Sequence, residues 1–334
     1  MLDRFLAGFQ TQLERFLLVW LVLLGLAAYF WPRWFAGVPD PFLSTAGHLK
    51  YLFAVTMFAI GSILPRDEIE QVVRRWPTVL GGTAIQYLSM PLLAYGFGRL
   101  FGFSGEWLIG VVMVGCVPGA MASNVLTLVA RGNVSYSLSL TTSATLVSPL
   151  VVPFVLWLAL RQWVSFPAGA VSWELCWMVV LPVVAGHLLS RQFAGWYAMA
   201  RGLGPIVANL TILWIIAVVV AGNRDKLVQL DARLPLALLL VNLGGYLAGL
   251  LGGFAMRLSD PMRRALTLEI GMQNAGLGTV LTVELFGKNS VSSIPPALYT
   301  FGCMFTGIIL ARLWAQWSRS TTAGSCVIAE RVGR

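Results

Sequence analysis

The chain has 334 residues, of which 57% are hydrophobic and 11% are charged. A soluble globular domain usually carries about 25% charged residues, so this composition excludes an ordinary soluble fold. At about 20 apolar residues per spanning helix, the length leaves room for roughly ten spans, and we predict an all-α polytopic membrane protein. The net charge of +9 could indicate nucleic-acid binding, but the basic residues of a membrane protein first report its orientation.

Apolar runs, separated by charged residues or by Pro and Gly, predict where the spans lie. We expect ten transmembrane helices, near residues 15–32, 46–64, 76–101, 106–130, 133–160, 171–190, 203–221, 233–257, 262–286 and 293–317. Residues 1–14 would precede the first span, and residues 318–334 would form a C-terminal tail. The first apolar run lacks a small-residue cleavage site, so we interpret it as a retained span and not as a signal peptide.

The basic residues are distributed unevenly over the predicted loops. The two termini and the loops on their side of the membrane hold 15 of the 23 Lys and Arg residues. Because short cytoplasmic loops carry the excess of basic residues, we expect both termini in the cytoplasm and the protein in the inner (plasma) membrane. The basic residues form no single patch, which argues against nucleic-acid binding and leaves the lipid bilayer as the expected partner. The sequence does not indicate an oligomeric state.

Ten spans divide into two halves of five, residues 15–160 and 171–317. An odd number of helices gives the halves opposite orientations, as in the inverted repeats of many secondary transporters. The fourth span of each half contains a polar, Gly-containing segment, at residues 115–124 and 269–278. Paired interruptions of this kind indicate a binding site, so we predict that helices four and nine are broken and cross there.

Each interruption carries a chemical signal. Pro118 removes a backbone donor, so nearby carbonyls lose their helical partners. Glu269 lies in an apolar span, where a carboxylate costs about 2.5–3.5 kcal/mol on insertion scales and is a functional candidate. A packing kink at Pro118, and a protonated or merely hydrogen-bonded Glu269, are the structural alternatives.

Further polar side chains are expected at the same depth. Ser123 and Asn124 follow Pro118, and span five is dense in hydroxyls, with Ser137 and Thr141 on one helix face. Neutral oxygens around one carboxylate suit a small monovalent cation better than a divalent ion, which usually gathers several carboxylates. Sodium fits best, and proton coupling through Glu269 is the alternative. In span eight, glycines predict close helix contact: Gly244, Gly245, Gly249, Gly252 and Gly253.

At these residues the sequence resembles the bile acid:sodium symporter family, whose bacterial members have ten helices in two inverted repeats with panel and core domains. The matching segments are residues 118–124 (Pro-Gly-Ala-Met-Ala-Ser-Asn), 130–134 (Ala-Arg-Gly-Asn-Val) and 269–274 (Glu-Ile-Gly-Met-Gln-Asn). The resemblance implies sodium as the coupling ion, with no organic cofactor. It implies one sodium site formed by Ser123, Asn124, Ser137, Thr141 and Glu269. It implies a second formed by Gln86, Glu269, Gln273 and the carbonyls of Ile270 and Met272.

Departures from the family pattern concern the substrate. Family members often have Gly and Thr where this chain has Ala120 and Met121. In the tenth span, relatives place polar side chains ahead of a small residue and Gly, where residues 303–307 of this chain are Cys-Met-Phe-Thr-Gly. We therefore expect Met121, Asn274, Cys303 and Thr306 to contact the substrate in a rather apolar pocket. A sodium-filled site and the positive ends of half-helices favour a small organic anion, a monocarboxylate or sulfonate with an apolar body.

Other functions account for these residues less well. Metalloid or organic-anion efflux on the same architecture would use Cys116, but a lone buried Cys is usually a small hydrophobe. An intramembrane enzyme would need a nucleophile with a base, and His48 and His187 belong to no such motif, so we predict no enzymatic activity. The four cysteines form no CxxC pair, which argues against a disulfide framework or a zinc site. A proton-coupled carrier, a channel and a non-transporting receptor stay open on chemistry alone.

Overall fold

The structure is a computed structural model that describes residues 2–160, 168–228 and 230–332. The elements in these residues are helical. The α-helices, in chain order, are α1 (Leu2–Arg15), α2 (Leu17–Trp34), α3 (Pro41–Thr45), α4 (Leu49–Ile63), α5 (Glu68–Arg74), α6 (Trp76–Leu100), α7 (Gly105–Cys116), α8 (Ala122–Val129), α9 (Val134–Leu160), α10 (Ala168–Leu175), α11 (Leu181–Gln192), α12 (Ala194–Gly222), α13 (Arg224–Val228), α14 (Arg233–Ala255), α15 (Asp260–Gly271), α16 (Ala275–Phe286) and α17 (Ile294–Val332).

Seven helical segments in the described part of the chain are long and apolar enough to cross a membrane: Leu17–Trp34, Pro41–Ile63, Val134–Ala159, Ala168–Gln192, Ala194–Gly222, Arg233–Ala255 and Val291–Trp317. Helix α6 has 25 residues but is less apolar. Helices α7 and α16 are apolar but short. The prediction of an all-α polytopic membrane protein is therefore confirmed.

Most predicted spans lie within a few residues of a helix, and the differences concern the first span, the two divided spans and the end of the last span. A separate helix, α1, precedes the first span, which begins at Leu17. The predicted spans 106–130 and 262–286 are each divided into two helices. Helix α17 continues past the predicted end at residue 317 to Val332. The cytoplasmic position of both termini stays a prediction, and residues 161–167, between the two predicted halves, lie outside the described residues.

The helices pack in two groups. In the first group, α4 packs against α11 and α12, and α12 packs against α2. The first group is tight because glycines lie where backbones meet: a Cβ atom on Gly61 would lie 2.7 Å from the backbone of Val183, and one on Gly186 would lie 2.8 Å from the amide nitrogen of Ser62. In the second group, α6 packs against α7, α9 and α14, and α14 packs against α15 and α17.

The divided helices lie where the two groups meet. Helices α7, α8 and α15 contact α9 of the second group, and α16 contacts both α17 of the second group and α4 and α12 of the first. Residues 117–121 and 272–274 connect the divided helices. Met121 and Asn274 of the two breaks also share a cavity lining with Met57 of α4 and Val183 of α11, so the breaks lie at the border between the two helix groups.

Candidate functional site

The first helix break surrounds Pro118. Helix α7 ends at Cys116, and Val117 has an extended backbone with φ −76° and ψ 157°. Pro118 has no backbone N–H and cannot continue the helical hydrogen bonds, so the chain restarts as a helix only at Ala122. The second break has no proline. Helix α15 ends at Gly271, Met272 is extended, and the side chain of Asn274 caps α16 by accepting from the Leu277 amide at 3.1 Å.

The two breaks satisfy each other's backbone groups. The Ala120 amide donates to the Met272 carbonyl at 2.7 Å, and the Asn274 amide donates to the Pro118 carbonyl at 2.8 Å. Gly119 and Gln273 form an isolated antiparallel bridge between these two bonds. Unpaired backbone groups are costly away from water, so this pairing holds the two breaks together.

Glu269 lies beside this paired segment and is fully buried, with 0% of its surface exposed. Its Oε1 accepts a hydrogen bond from Thr141 Oγ1 at 2.7 Å, and its Oε2 accepts one from Ser123 Oγ. Gly119 leaves the room that the carboxylate needs, because a Cβ atom there would lie 2.6 Å from Glu269 Cδ. Side chains of α8, α9 and α15 therefore converge on one carboxylate.

The remaining residues of the first predicted sodium set are Asn124, which follows Ser123 in the chain, and Ser137, whose carbonyl is hydrogen-bonded to Thr141. Asn124 is buried, and its Oδ1 has no hydrogen-bond partner among the described residues. The Ser137 carbonyl accepts from Thr141 Oγ1 at 3.1 Å, and Ser137 Oγ accepts from Thr127 Oγ1 at 3.3 Å. An unpaired buried acceptor is costly, so Asn124 Oδ1 marks a place where a cation would be stabilising.

The second predicted set also forms one cluster. Gln86 Nε2 donates to Gln273 Oε1 at 3.3 Å, and Gln273 Nε2 donates to the Ile270 carbonyl at 2.7 Å. Both glutamines are buried, with 1% of their surface exposed. The Met272 carbonyl lies in the paired segment and keeps a second lone pair beyond the bond from Ala120.

Two of the four predicted substrate residues face a common cavity. Met121 and Asn274 are the N-cap residues of α8 and α16, and both line a small cavity of about 20 Å³. Its other walls are apolar side chains of α4 and α11 and hydroxyls of α9: Met57, Ile60, Leu64, Val183, Thr141, Thr142 and Thr145, with Gly119 completing the lining.

Cys303 and Thr306 do not line that cavity. Cys303 is buried in an apolar cluster with residues of α14 and α15. Thr306 Oγ1 donates to Asn242 Oδ1 at 2.7 Å. Their contact with substrate stays a prediction, and the geometry favours Met121 and Asn274.

A polar network around the second break was not predicted from the sequence. Asn242, Tyr246 and Tyr299 are buried in α14 and α17, where an isolated Asn or Tyr resembles ordinary helix-packing residues. The available signal was the row of glycines in the same span, because Gly245 and Gly249 share a helix face with Asn242. The predicted close contact at these glycines is confirmed: a Cβ atom on Gly249 would lie 2.6 Å from Thr267 Cα.

A second buried carboxylate, Glu68, lies in the short helix α5 and was not predicted. Only 1% of its surface is exposed. Ser139 Oγ of α9 donates to Glu68 Oε1 at 3.0 Å, while Oε2 has no partner among the described residues. Burial raises the pKa of Glu68, and the Ser139 hydrogen bond opposes that effect.

An ion pair links α4 of the first helix group to α16. Lys50 Nζ of α4 lies 3.2 Å from Glu284 Oε2 of α16, and both side chains are partly exposed. A cavity of about 190 Å³ lies near this end of the two helices and is lined by Leu49, Val283 and Lys288, among others. The pair therefore links α4 to the helix that follows the second break, about ten residues beyond that break.

These features define a polytopic helical membrane protein with a polar, carboxylate-containing site between two broken helices, an arrangement typical of secondary transporters. Residues 50–230 match the model of the Sodium Bile acid symporter family. The chain belongs to this family of sodium-dependent transporters.

Individual relatives agree with the family match. The chain is similar to YocS of Bacillus subtilis, described as an uncharacterized sodium-dependent transporter, with 30% identity over 92% of this chain and 93% of the relative. It is 28% identical to the probable sodium/metabolite cotransporter BASS1 of Arabidopsis thaliana, over 78% of this chain and 65% of the relative. It is 26% identical to the sodium/bile acid cotransporter 4 of mouse (Mus musculus), over 73% of this chain and 58% of the relative.

Proposed function

We propose that the chain is a sodium-coupled symporter of an organic anion, a monocarboxylate or sulfonate with an apolar body, that works by alternating access. The observation that carries this proposal is Glu269, a fully buried carboxylate beside two paired helix breaks. A buried carboxylate without a cationic partner is costly, so a cation that binds and leaves with the transport cycle gives the residue a function.

The first sodium ion would bind among Ser123, Asn124, Ser137, Thr141 and Glu269. The donor set fits the ion, because it offers one carboxylate, three hydroxyls and an amide oxygen, Asn124 Oδ1, that has no partner among the described residues. On binding, the hydroxyls of Ser123 and Thr141 would turn their oxygens toward the ion. The single negative charge would then be matched by one positive charge.

The second sodium ion would bind between Gln86, Gln273 and the carbonyls of Ile270 and Met272, with Glu269 near by. The side-chain oxygens of Gln86 and Gln273 and two main-chain carbonyls are neutral, hard ligands that suit a monovalent cation. The first ion would connect α8, which follows the first break, to Glu269 of α15, which precedes the second. The second ion would bind carbonyls beside the second break, which is paired with Gly119 of the first. Both ions would therefore stabilise the paired arrangement of the breaks.

The substrate would bind beside Met121 and Asn274 when the cavity that they line widens, because its volume of about 20 Å³ in this structure holds only about one water molecule. These residues lie at the N-termini of α8 and α16, where the helix dipole favours a negative charge. The apolar wall from α4 and α11 suits an apolar body beside the anionic group. The sodium ions would therefore raise the affinity for the anion, and by linkage the anion would raise the affinity for sodium by the same factor.

The architecture behind this mechanism is two inverted five-helix repeats, residues 15–160 and 171–317, with both termini in the cytoplasm of a plasma-membrane protein. The seven long apolar segments, α6 and the two divided helices add up to ten spans. We assign the first helix group to the panel domain and the second to the core domain. Rocking of one group against the other would open the cavity to each side in turn.

The proposal is tested by uptake into proteoliposomes. A panel of aliphatic and aromatic carboxylates, sulfonates and bile acids is supplied with an inward sodium gradient or an equal potassium gradient. We expect saturable, sodium-driven uptake of at least one anion, abolished by Glu269→Ala and by Gln86→Ala and preserved in the control variant Asp225→Asn. Uptake that is independent of sodium and driven by a pH gradient would contradict sodium coupling and indicate proton coupling.

A further inference from the structure

The carbonyl of Gly271 is held by two side chains from other helices. Gly271 is the last residue of α15, so its carbonyl has no partner within the helix. It accepts hydrogen bonds from Asn242 Nδ2 of α14 and from the Tyr299 hydroxyl of α17, each at 2.7 Å. Both donors are buried, with 1% of their surface exposed. Two short bonds therefore use both lone pairs of one carbonyl at the helix break.

The orientation of Asn242 is itself fixed. Its Oδ1 accepts from Thr306 Oγ1 at 2.7 Å, which leaves Nδ2 to face Gly271. Thr306 Oγ1 lies 3.1 Å from the Tyr246 hydroxyl, which is also buried. We call these four residues, Asn242, Tyr246, Tyr299 and Thr306, the break clamp. A connected polar network of this kind, buried except at the half-buried Thr306, has one favoured arrangement.

Close packing between α14 and α15 restricts movement of the second break. A Cβ atom on Gly245 would lie 3.0 Å from Gly271 Cα, and one on Gly249 would lie 2.6 Å from Thr267 Cα. The backbone of α15 thus lies directly against α14, one turn along from Asn242. The clamp and this contact act on the same peptide units.

The carbonyls on either side of Gly271 are those that the proposed second sodium ion uses. The Ile270 carbonyl accepts from Gln273 Nε2 at 2.7 Å, and the Met272 carbonyl accepts from the Ala120 amide at 2.7 Å. Because neighbouring peptide units share Cα atoms, fixing the Gly271 carbonyl on the α14 and α17 side limits the directions available to the carbonyls of Ile270 and Met272.

We infer that Asn242 and Tyr299 are positioning residues for the second sodium ion. By holding the Gly271 carbonyl they orient the neighbouring carbonyls that bind the ion, and they do not touch the ion themselves. This role rests on the proposed function. The clamp assigns Thr306 to cation affinity and not to substrate recognition. Loss of a partner that orients a direct metal ligand typically costs about 10–100-fold in metal affinity. We expect a smaller effect here, because Asn242 and Tyr299 act through the Gly271 carbonyl, which is itself not a ligand.

The test compares sodium affinity with substrate affinity in proteoliposomes. Tyr299→Phe and Asn242→Ala should raise the sodium concentration for half-maximal uptake about 3–10-fold each, as expected for the loss of one buried hydrogen bond. The substrate KM at saturating sodium should change less than twofold. Thr306→Val, which removes a half-buried hydroxyl, should give a smaller change of the same kind, about two- to threefold.

Tyr136→Phe is the matched control. The buried Tyr136 hydroxyl also donates to a main-chain carbonyl, that of Thr78, at 2.8 Å, but that carbonyl belongs to neither break. Its loss should lower the melting temperature without changing the sodium requirement. An equal sodium requirement in Tyr299→Phe and Tyr136→Phe overturns the inference.

Two further outcomes separate the inference from the proposed function. If the unaltered protein takes up anions without any response to sodium, the proposed function fails. If its uptake is sodium-driven and only the clamp variants behave like the control, the inference fails alone. Should Tyr299→Phe and Asn242→Ala not reach the membrane, Thr306→Val decides: a raised substrate KM with an unchanged sodium requirement contradicts the clamp.

Discussion

Gly119 lies in the first helix break, directly against the buried carboxylate of Glu269. The substitution Gly119→Ala therefore acts on that carboxylate. The added methyl group would lie 2.6 Å from Cδ and 3.2 Å from Cγ of Glu269. Carbon atoms in favourable contact are about 3.5–4.0 Å apart, so one partner must move by roughly 1 Å. The backbone of Gly119 is held by its bridge to Gln273, and the carboxylate is therefore the group that moves.

The displacement has two measurable consequences. Overpacking a well-packed site costs about 1–3 kcal/mol, so we expect a lower Tm. A carboxylate displaced by about 1 Å also loses its 2.7 Å bond from Thr141 and its place in the proposed sodium site. A loss of about 1.4 kcal/mol in sodium binding raises the sodium requirement about tenfold.

The assay is sodium-dependent uptake in proteoliposomes together with thermal unfolding of the purified protein. Gly96→Ala in α6 is the matched control, because a Cβ atom there would meet nothing within 4 Å. In that helix the extra methyl group should leave the sodium requirement unchanged and stabilise by about 0.4–1 kcal/mol. Wild-type sodium dependence in Gly119→Ala would refute the placement of the carboxylate against Gly119.

Three further predictions follow from contacts outside the paired breaks or at their edge. Thr141→Val removes a hydroxyl from Glu269 and should raise the sodium requirement about tenfold; an unchanged requirement in uptake assays would remove Thr141 from the site. Because burial raises the pKa of Glu68, its carboxyl group stays protonated to a higher pH in the folded state than in the unfolded chain. The resulting stabilisation is lost as the pH rises through the pKa of the folded state. Glu68→Gln cannot ionise, so its Tm relative to wild type should rise between pH 5 and pH 8, by about 2 °C; a Tm difference that is the same at both pH values contradicts this. In Lys50→Cys/Glu284→Cys, a bifunctional thiol-specific cross-linker about as long as the two side chains together should link α4 to α16 and arrest transport until it is cleaved by reductant. Full transport by the cross-linked variant would show that these helices do not separate.

The positions of the breaks were predictable from the sequence, because each break depends on residues that are unusual in an apolar helix. Pro118 lacks a donor, and Glu269 is a charge in an apolar span. The predicted spans 106–130 and 262–286 accordingly divide in the structure. The partners of the freed backbone groups were not predictable, because the pairing of Gly119 with Gln273 joins segments about 150 residues apart.

The directions in which the side chains point were harder to predict than the positions of the breaks. Cys303 and Thr306 share one face of α17, and the rotation of that helix turns Thr306 toward Asn242 of α14. Hydropathy does not determine this rotation, since both faces of the helix are apolar. The burial of Glu68 was not predictable for a different reason: it lies in a predicted loop, where charged residues are normally solvated, whereas α5 packs on α9 and buries it.

The central claim is that sodium binds at Glu269 between the paired breaks, and equilibrium binding of radioactive sodium to the purified protein tests it most directly. The account predicts saturable binding to the wild type that unlabelled sodium displaces and potassium does not. It predicts loss of that binding in Glu269→Gln and its retention in Glu284→Gln, which removes a carboxylate far from the breaks. Wild-type sodium binding by Glu269→Gln would contradict the account.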